Sequence, residues 1–240
     1  MNIDEQASKF AIHAACREGQ TQKVISLLNA DPKLALRPDD DERLPQHWAA
    51  AHNHLEILTI LSETKKFDVD AQDGAGWTAL MMASSLKDGD ELVDFLLDQK
   101  SADPGIKTNG GQTALHFAAS KGNLETARKL LSKGATARVK DKRGQLPLHR
   151  AAAVGNVPIL KVLLDAKSAV NATDGDGSTA LHHAVAEGHG DAAVELLRRG
   201  AEWGKEDGGG KRAIELAPDG KVRGFVLRGA VEEGVDVGGD

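Results

Sequence analysis

One seven-residue phrase, written five times at a nearly constant interval, constrains this chain more than any other feature. It reads LPQHWAA at 44–50, TALMMAS at 78–84, TALHFAA at 113–119, LPLHRAA at 146–152 and TALHHAV at 179–185. Its fourth residue is His47, Met81, His116, His149 and His182, and the series extends outward to His13 and Glu215. The intervals are 34, 34, 35, 33, 33 and 33 residues. Self-similarity at this period means a stacked array, in which no unit buries its apolar face alone and each leans on its neighbours. Aromatic residues make up only 3% of the chain and tyrosine is absent. That composition suits small helices in close approach.

Each element of the phrase has a physical reason. Its opening Thr stands where a helix N-cap is wanted, so that its hydroxyl accepts an orphan amide. Pro45 and Pro147 follow where the missing N–H costs nothing. The paired alanines after the fourth residue let neighbouring helices approach. Gly122, Gly155 and Gly188 end the first helix where a left-handed residue is needed. A second helix follows, with Leu124, Ala127, Leu130 and Leu131 as its apolar stripe. Tips such as NGG (109–111) and GDG (175–177) supply the positive φ of a tight hairpin.

In the fourth unit Gly111, Thr113, Leu115, His116, Ala118, Ala119, Gly122, Leu130, Leu131, Gly134 and Ala135 all fall in phase with one pattern. It resembles the ankyrin repeat over roughly residues 5–228. The resemblance implies an all-α solenoid of seven helix-turn-helix units with β-hairpin fingers, the first and last being degenerate caps. The units fall at about 5–38, 39–72, 73–107, 108–140, 141–173, 174–206 and 207–231, and 232–240 is a Gly/acid-rich tail expected to be disordered. Leu44 and Leu146 replace the capping Thr, Glu42 replaces the finger Gly, and one extra residue lies around Lys87–Gly89. Local irregularity is expected at each.

Chemistry is sparse. Five of the nine histidines (His13, His47, His116, His149 and His182) occupy the scaffold position, and His54 and His189 the pattern's second histidine position. His52-Asn53-His54 has no Cys or carboxylate at ligand spacing, so no metal site is expected. GGGKR (208–212) fails as a phosphate loop, with Lys205 and Arg212 where Gly and Ser/Thr are required. DGDGST (174–179) fails as a calcium loop and reads as a finger tip. The single Cys16 forms no internal disulfide and reads as a small buried residue. No catalytic constellation and no cofactor are expected, so the chain reads as a binding protein and not an enzyme. A net charge of −6 argues against broad nucleic-acid binding. No apolar run approaches a membrane span and MNIDEQASKF is not a signal peptide, so the expected location is cytoplasm and nucleus.

In such an array the fingers and the exposed side of the first helices line a concave face. The candidate partner-binding residues are Asp40, Asp41, Arg43, Trp48, His52, Trp77, Lys121, Lys142, Arg143, Asp176 and Glu187. Trp77 reads as a finger aromatic standing in water, a contact anchor. Charge alternates along the chain, acidic at 39–42 and 68–73, basic from Lys121 to Arg143, and acidic again from Asp174. Such alternation sets a partner in register.

The segments HWAA (47–50), DGAGWTAL (73–80), FAASKGN (117–123), KDKRGQLPLHRAAAVGN (140–156) and AEGHGDAAVELL (186–197) are similar to gankyrin and its fungal counterparts. These are non-ATPase assembly chaperones of the proteasome regulatory particle. The resemblance implies a monomer when free that grips the C-terminal domain of one base ATPase subunit in its concave face. It carries contact roles to Arg43, Lys121 and Glu187. An L-x-C-x-E stretch linked to retinoblastoma-protein binding in the animal member is His183-Ala184-Val185-Ala186-Glu187 here, so that partner is not carried over. The other reading is an ankyrin adaptor or stoichiometric inhibitor of a kinase or transcription factor. On the sequence alone, Arg43→Glu with Glu187→Lys is expected to abolish partner binding with little change in melting.

Overall fold

The computed structural model describes residues 10–237, so residues 5–9 of the first unit and 238–240 of the tail lie outside the described residues. Thirteen α-helices are present among the described residues, in two compact units, one up to Gly110 and one from Gly111. The first holds α1 (Ala11–Arg17), α2 (Thr21–Ala30), α3 (Pro45–Ala51), α4 (Leu55–Ser62), α5 (Ala79–Ser84) and α6 (Asp90–Asp94). The second holds α7 (Ala114–Lys121), α8 (Leu124–Ser132), α9 (Pro147–Ala153), α10 (Val157–Asp165), α11 (Ala180–Ala186), α12 (Gly190–Arg198) and α13 (Gly220–Glu232). In the first unit α1, α3 and α5 stack side by side as inner helices; in the second, α7, α9 and α11 do so and a 3₁₀ turn, Ala213–Leu216, extends the row. The fold is an all-α ankyrin solenoid, as the repeat implied.

The alanine pairs explain how closely the inner helices lie. Ala49, Ala50, Ala118, Ala119, Ala151 and Ala152 are completely buried, so each methyl fills the space between two backbones. A larger side chain there would overpack. Leucines complete the core: Leu58, Leu80, Leu115, Leu130, Leu148 and Leu196 are shielded from solvent.

The scaffold histidines stitch the units together. His47 Nδ1 accepts from its own N-cap amide at Leu44 (2.9 Å) while its Nε2–H donates to Ala71 O at the end of the same unit (2.9 Å). His149 does the same between Leu146 (3.0 Å) and Ala172 (3.0 Å). His116 and His182 bridge from Thr113 and Thr179 to the carbonyls of Gln145 and Lys211. A backbone N–H only donates and a carbonyl only accepts, so the neutral Nε2–H tautomer is dictated. This corrects the expected irregularity at Leu44 and Leu146. Both keep the extended N-cap backbone (ψ 160° and 162°) because the histidine satisfies the amide, with or without a capping hydroxyl.

The fingers are turns, not paired strands; the two β-bridges among the described residues, Thr173–Thr179 and Glu206–Arg212, are isolated. The five fingers that open on Asp close with the backbone N–H of that Asp donating to the carbonyl four residues on, as Asp73 to Trp77 and Asp174 to Ser178. The fourth residue of every finger is left-handed: φ is +80° at Gly76 and Gly111, +74° at Gly144 and +77° at Gly177. Glu42 holds the same position at φ +60°. The finger expected to be irregular is therefore regular, with the strain carried by one residue.

The third repeat has Met81 in place of histidine and an added residue. The inter-helix turn at 85–89 takes the extra residue where the sequence placed it. Gly89 is buried there, with no room for a Cβ beside the Ala83 carbonyl. Beyond α6 the helix widens into a π-helical turn, Phe95–Gln99. A π-turn absorbs one residue into a helix without breaking it, so relative to the 33-residue repeats that follow, a second extra residue is taken up here.

The carboxylate of Glu195 is 4% exposed and meets Arg198 (3.1 Å), Arg199 (3.1 Å) and Lys161 (3.7 Å). Arg198 continues to Glu233 (2.6 Å) and Arg199 to Asp165 (2.8 Å), lacing α10 and α12 to the end of α13. The sequence started the tail at 232. The helix includes Glu232, and Glu233 ends it as the C-cap.

Two outcomes are expected. Glu42→Gly should stabilise the chain by about 1 kcal/mol, because glycine adopts the left-handed region without a Cβ clash; the urea midpoint reads this. Stability should also fall between about pH 6.5 and pH 4. Burial, and then the neighbouring His183, push His149 down to about 4; burial likewise lowers His13 and His47. The unfolded imidazoles take up protons near 6.5 while the folded ones stay neutral, so their contribution is complete above 6.5 and lost on acidification. Thermal melts across that window would contradict this if they were flat.

Candidate functional site

The finger aspartates organise the exposed face. One oxygen of each accepts two amides of its own turn: Asp39 from Asp41 and Arg43, Asp73 from Ala75 and Trp77, Asp141 from Arg143 and Gln145, Asp174 from Asp176 and Ser178, and Asp207 from Gly209 and Lys211. In Asp39, Asp141 and Asp174 the other oxygen is met by the residue nine positions on. Trp48 Nε1 donates to Asp39 (2.7 Å), Arg150 to Asp141 (2.8 Å) and His183 Nε2 to Asp174 (2.8 Å). Burial opposes the charged carboxylates, but Trp48, Arg150 and His183 together with the turn amides outweigh it. All three are held below the ordinary carboxylate value.

This lattice accounts for Arg43. In the third repeat the ninth position is Met82, which offers no donor. Arg43, from the preceding finger, supplies it instead: its Nε lies 3.1 Å from Asp73 Oδ2, on a carboxylate only 1% exposed. Gln145 reaches Asp174 from the equivalent place (3.3 Å). The expectation that Arg43→Glu spares the melting transition is therefore overturned, since it would set two carboxylates together.

The predicted residues of the first unit converge around Trp48. Its half-buried ring is approached by the guanidiniums of Arg43 (5.1 Å) and Arg17 (5.9 Å) and stacks on His52 (6.2 Å). His52 stacks in turn on His54, and its pKa is lowered by burial, then by His54 and Arg17. His54 Nε2–H donates to Arg17 O and so holds the preceding helix end. Asp40 and Asp41 are exposed and border a cleft of about 270 Å³ together with Phe10, Arg17 and Trp48. Trp77 is half-buried, not a side chain standing free in water.

In the second unit Lys121, Lys142, Arg143, Asp176 and Glu187 are all exposed. Lys121 is the last residue of α7, while Val154 and Glu187 are the C-caps of α9 and α11. Val154 is 44% exposed. The role of Arg150 and His183 was missed, although the recurrent nine-residue separation from a finger Asp is readable in the sequence. No group of three or more potential metal ligands is present among the described residues, and none of their helices is long and apolar enough to cross a membrane. Cys16 is buried, and desolvation pushes its thiol up to about 12.

Matches to the family model for ankyrin repeats, which spans three copies, cover residues 1–73, 65–141 and 133–207. The chain belongs to the ankyrin-repeat family, whose arrays are protein-binding scaffolds. An ankyrin repeat-containing protein of Schizosaccharomyces pombe is 37% identical over 124 residues, which is 51% of this chain and 52% of that one. A probable 26S proteasome regulatory subunit p28 of Saccharomyces cerevisiae is 40% identical over 134 residues, 55% of this chain and 58% of that one. The matches thus span little more than half the length of these curated relatives. The human ASB11 ankyrin repeat domain superposes with a TM-score of 0.81 at 21% identity, covering 91% of this chain and 96% of that one; at that identity the likeness establishes fold alone.

The two kinds of surface residue separate in a stability measurement. Arg43→Ala should cost about 2 kcal/mol by leaving the buried Asp73 carboxylate without its cation. Lys121→Glu and Glu187→Lys should each stay within about 0.5 kcal/mol, as exposed substitutions do. Urea midpoints of the three single variants check this.

Proposed function

We propose that this chain is an assembly chaperone of the proteasome regulatory particle and that it binds the C-terminal domain of one base ATPase subunit. The observation that carries the reading is the 40% identity to the yeast p28 subunit across more than half of both chains. The charged finger tips and inner-helix ends support it, because they offer a partner fixed points of both signs without committing them to the scaffold. Specificity in this reading comes from charge register more than from buried area. The array itself contributes a rigid frame, since the finger lattice and the histidine bridges hold those points in place.

The test is capture from a proteasome-containing cell extract by the tagged full chain, followed by identification of the bound proteins. A base ATPase subunit is expected, retained at moderate salt, and an isolated ATPase C-terminal domain should compete it off. Recovery of a different stable partner with no base ATPase would sink the reading.

A further inference from the structure

We propose that the solvent face of α13 (Gly220–Glu232) docks a second copy of this chain, with the two helices antiparallel. The inference goes beyond the chaperone reading, because it uses none of the finger or inner-helix residues on which that reading draws. It sets a self-associating chain in place of the free monomer that the family resemblance implied.

One side of α13 packs on α11, α12 and the 3₁₀ turn and buries Val226, Gly229 and Ala230. The other side is open to solvent, yet it is not the polar face that the outside of a repeat array ordinarily turns to water. Two of the three large apolar side chains left exposed among the described residues stand on it, Phe225 at 43% and Val231 at 60%. Its charges are also uncommitted. Lys221, Arg228 and Glu232 form no ion pair with any described residue, not even Lys221 with Asp191, which borders the same cleft. Glu233, one residue on, is by contrast taken by Arg198. The glycines divide in the same way. A Cβ on Gly229 would strike Val194, so the packing of α13 on α12 requires that glycine. A Cβ on Gly224 would come near nothing but the guanidinium of Arg228 (3.4 Å). Glycine inside a helix is destabilising, and no contact among the described residues calls for this one.

The order of these side chains selects the occupant. Lys221, Phe225, Arg228 and Glu232 recur at intervals of four, three and four, so they form one stripe along the helix, while Arg223 falls on the far flank. Read backwards, the stripe complements itself. In an antiparallel pair with its two-fold axis between Val226 and Leu227, Glu232 of each copy meets Lys221 of the other, and Arg228 meets Phe225. The first is an ion pair and the second a cation against an exposed ring, and each is made twice. Gly224 and Val231 lie along one edge of the stripe, and a two-fold axis brings like edges together. Val231 of each copy therefore comes beside the hollow at Gly224 of the other, which gives that glycine a use. A parallel pair would set Lys221 on Lys221 and Glu232 on Glu232, and like charges repel. A second copy supplies every one of these contacts at once, because a two-fold interface uses one patch against itself.

The experiment is sedimentation velocity on the full chain. One pair of 13-residue helices makes a contact smaller than a standard interface, so a dissociation constant of roughly 100 µM is expected. Between about 10 µM and about 1 mM the mass should rise toward that of a dimer. Lys221→Glu and Glu232→Lys chains should each associate roughly tenfold more weakly, because each change turns two ion pairs into repulsions. Mixed one to one, the two variants should recover the native affinity, since the mixed pair has both contacts restored. Positions 221 and 232 lie about 16 Å apart along one helix, so recovery on mixing has no explanation within a single chain. Val231→Asp should weaken association as well. All three positions are exposed, and each variant should melt as the native chain does. A monomer mass at the highest concentration, association indifferent to either charge reversal, or a mixture that fails to recover would overturn the proposal.

Discussion

A buried imidazole with both nitrogens engaged is the interaction on which the rest of this structure depends. At His116 and His182 one nitrogen closes the N-terminus of its own inner helix and the other reaches a carbonyl of the next unit. Helix start and inter-unit contact are therefore set by one side chain, and neither can shift without the other. The paired alanines make the approach short enough for that reach. Stability in such an array is a sum of local and nearest-neighbour contributions, and the histidines supply much of what is directional in the second.

The finger aspartates form a second lattice above the first. Each gathers its own turn with one oxygen, and four of the five, Asp39, Asp73, Asp141 and Asp174, take a donor from α-helix or finger with the other. The donor varies with the unit: an indole at Trp48, a guanidinium at Arg150, an imidazole at His183, and at Asp73 a guanidinium borrowed from the preceding finger. The site residues thus divide by duty. Arg43 and Trp48 are engaged in holding fingers, whereas Lys121, Lys142, Arg143, Asp176 and Glu187 extend into solvent. A side chain can serve both purposes, but only the second group can change without disturbing the frame.

Most of the fold was legible because period, caps and turn glycines are local properties written in residue types. The left-handed positions at Gly122, Gly155 and Gly188, with φ of 77°, 68° and 79°, follow directly from such a reading. What was not legible depends on pairing across units. The π-turn at Phe95–Gln99 arises because the outer helix must stay in step with its neighbour while carrying an added residue. No propensity marks it. Leu44 and Leu146 looked like defects because a cap was sought in the hydroxyl, when the imidazole three residues later satisfies the amide. Arg43 read as a free groove charge because its partner, Asp73, is thirty residues away and becomes visible only once Met82 is seen to leave that carboxylate without a donor. The exposed charges were legible because their positions within the repeat are fixed by phase alone.

The imidazole bridges also give the molecule an internal set of gauges. Each Nε2 proton of His116 and His182 lies in a hydrogen bond that exists only while two particular units are in contact. Such a proton is released to water when that one contact opens, whatever the rest of the chain is doing. Slow exchange at one imidazole and fast exchange at the next would locate a weak joint in the array to a single interface. A protein assembled from near-identical parts thereby keeps a distinguishable signal for two of its seams.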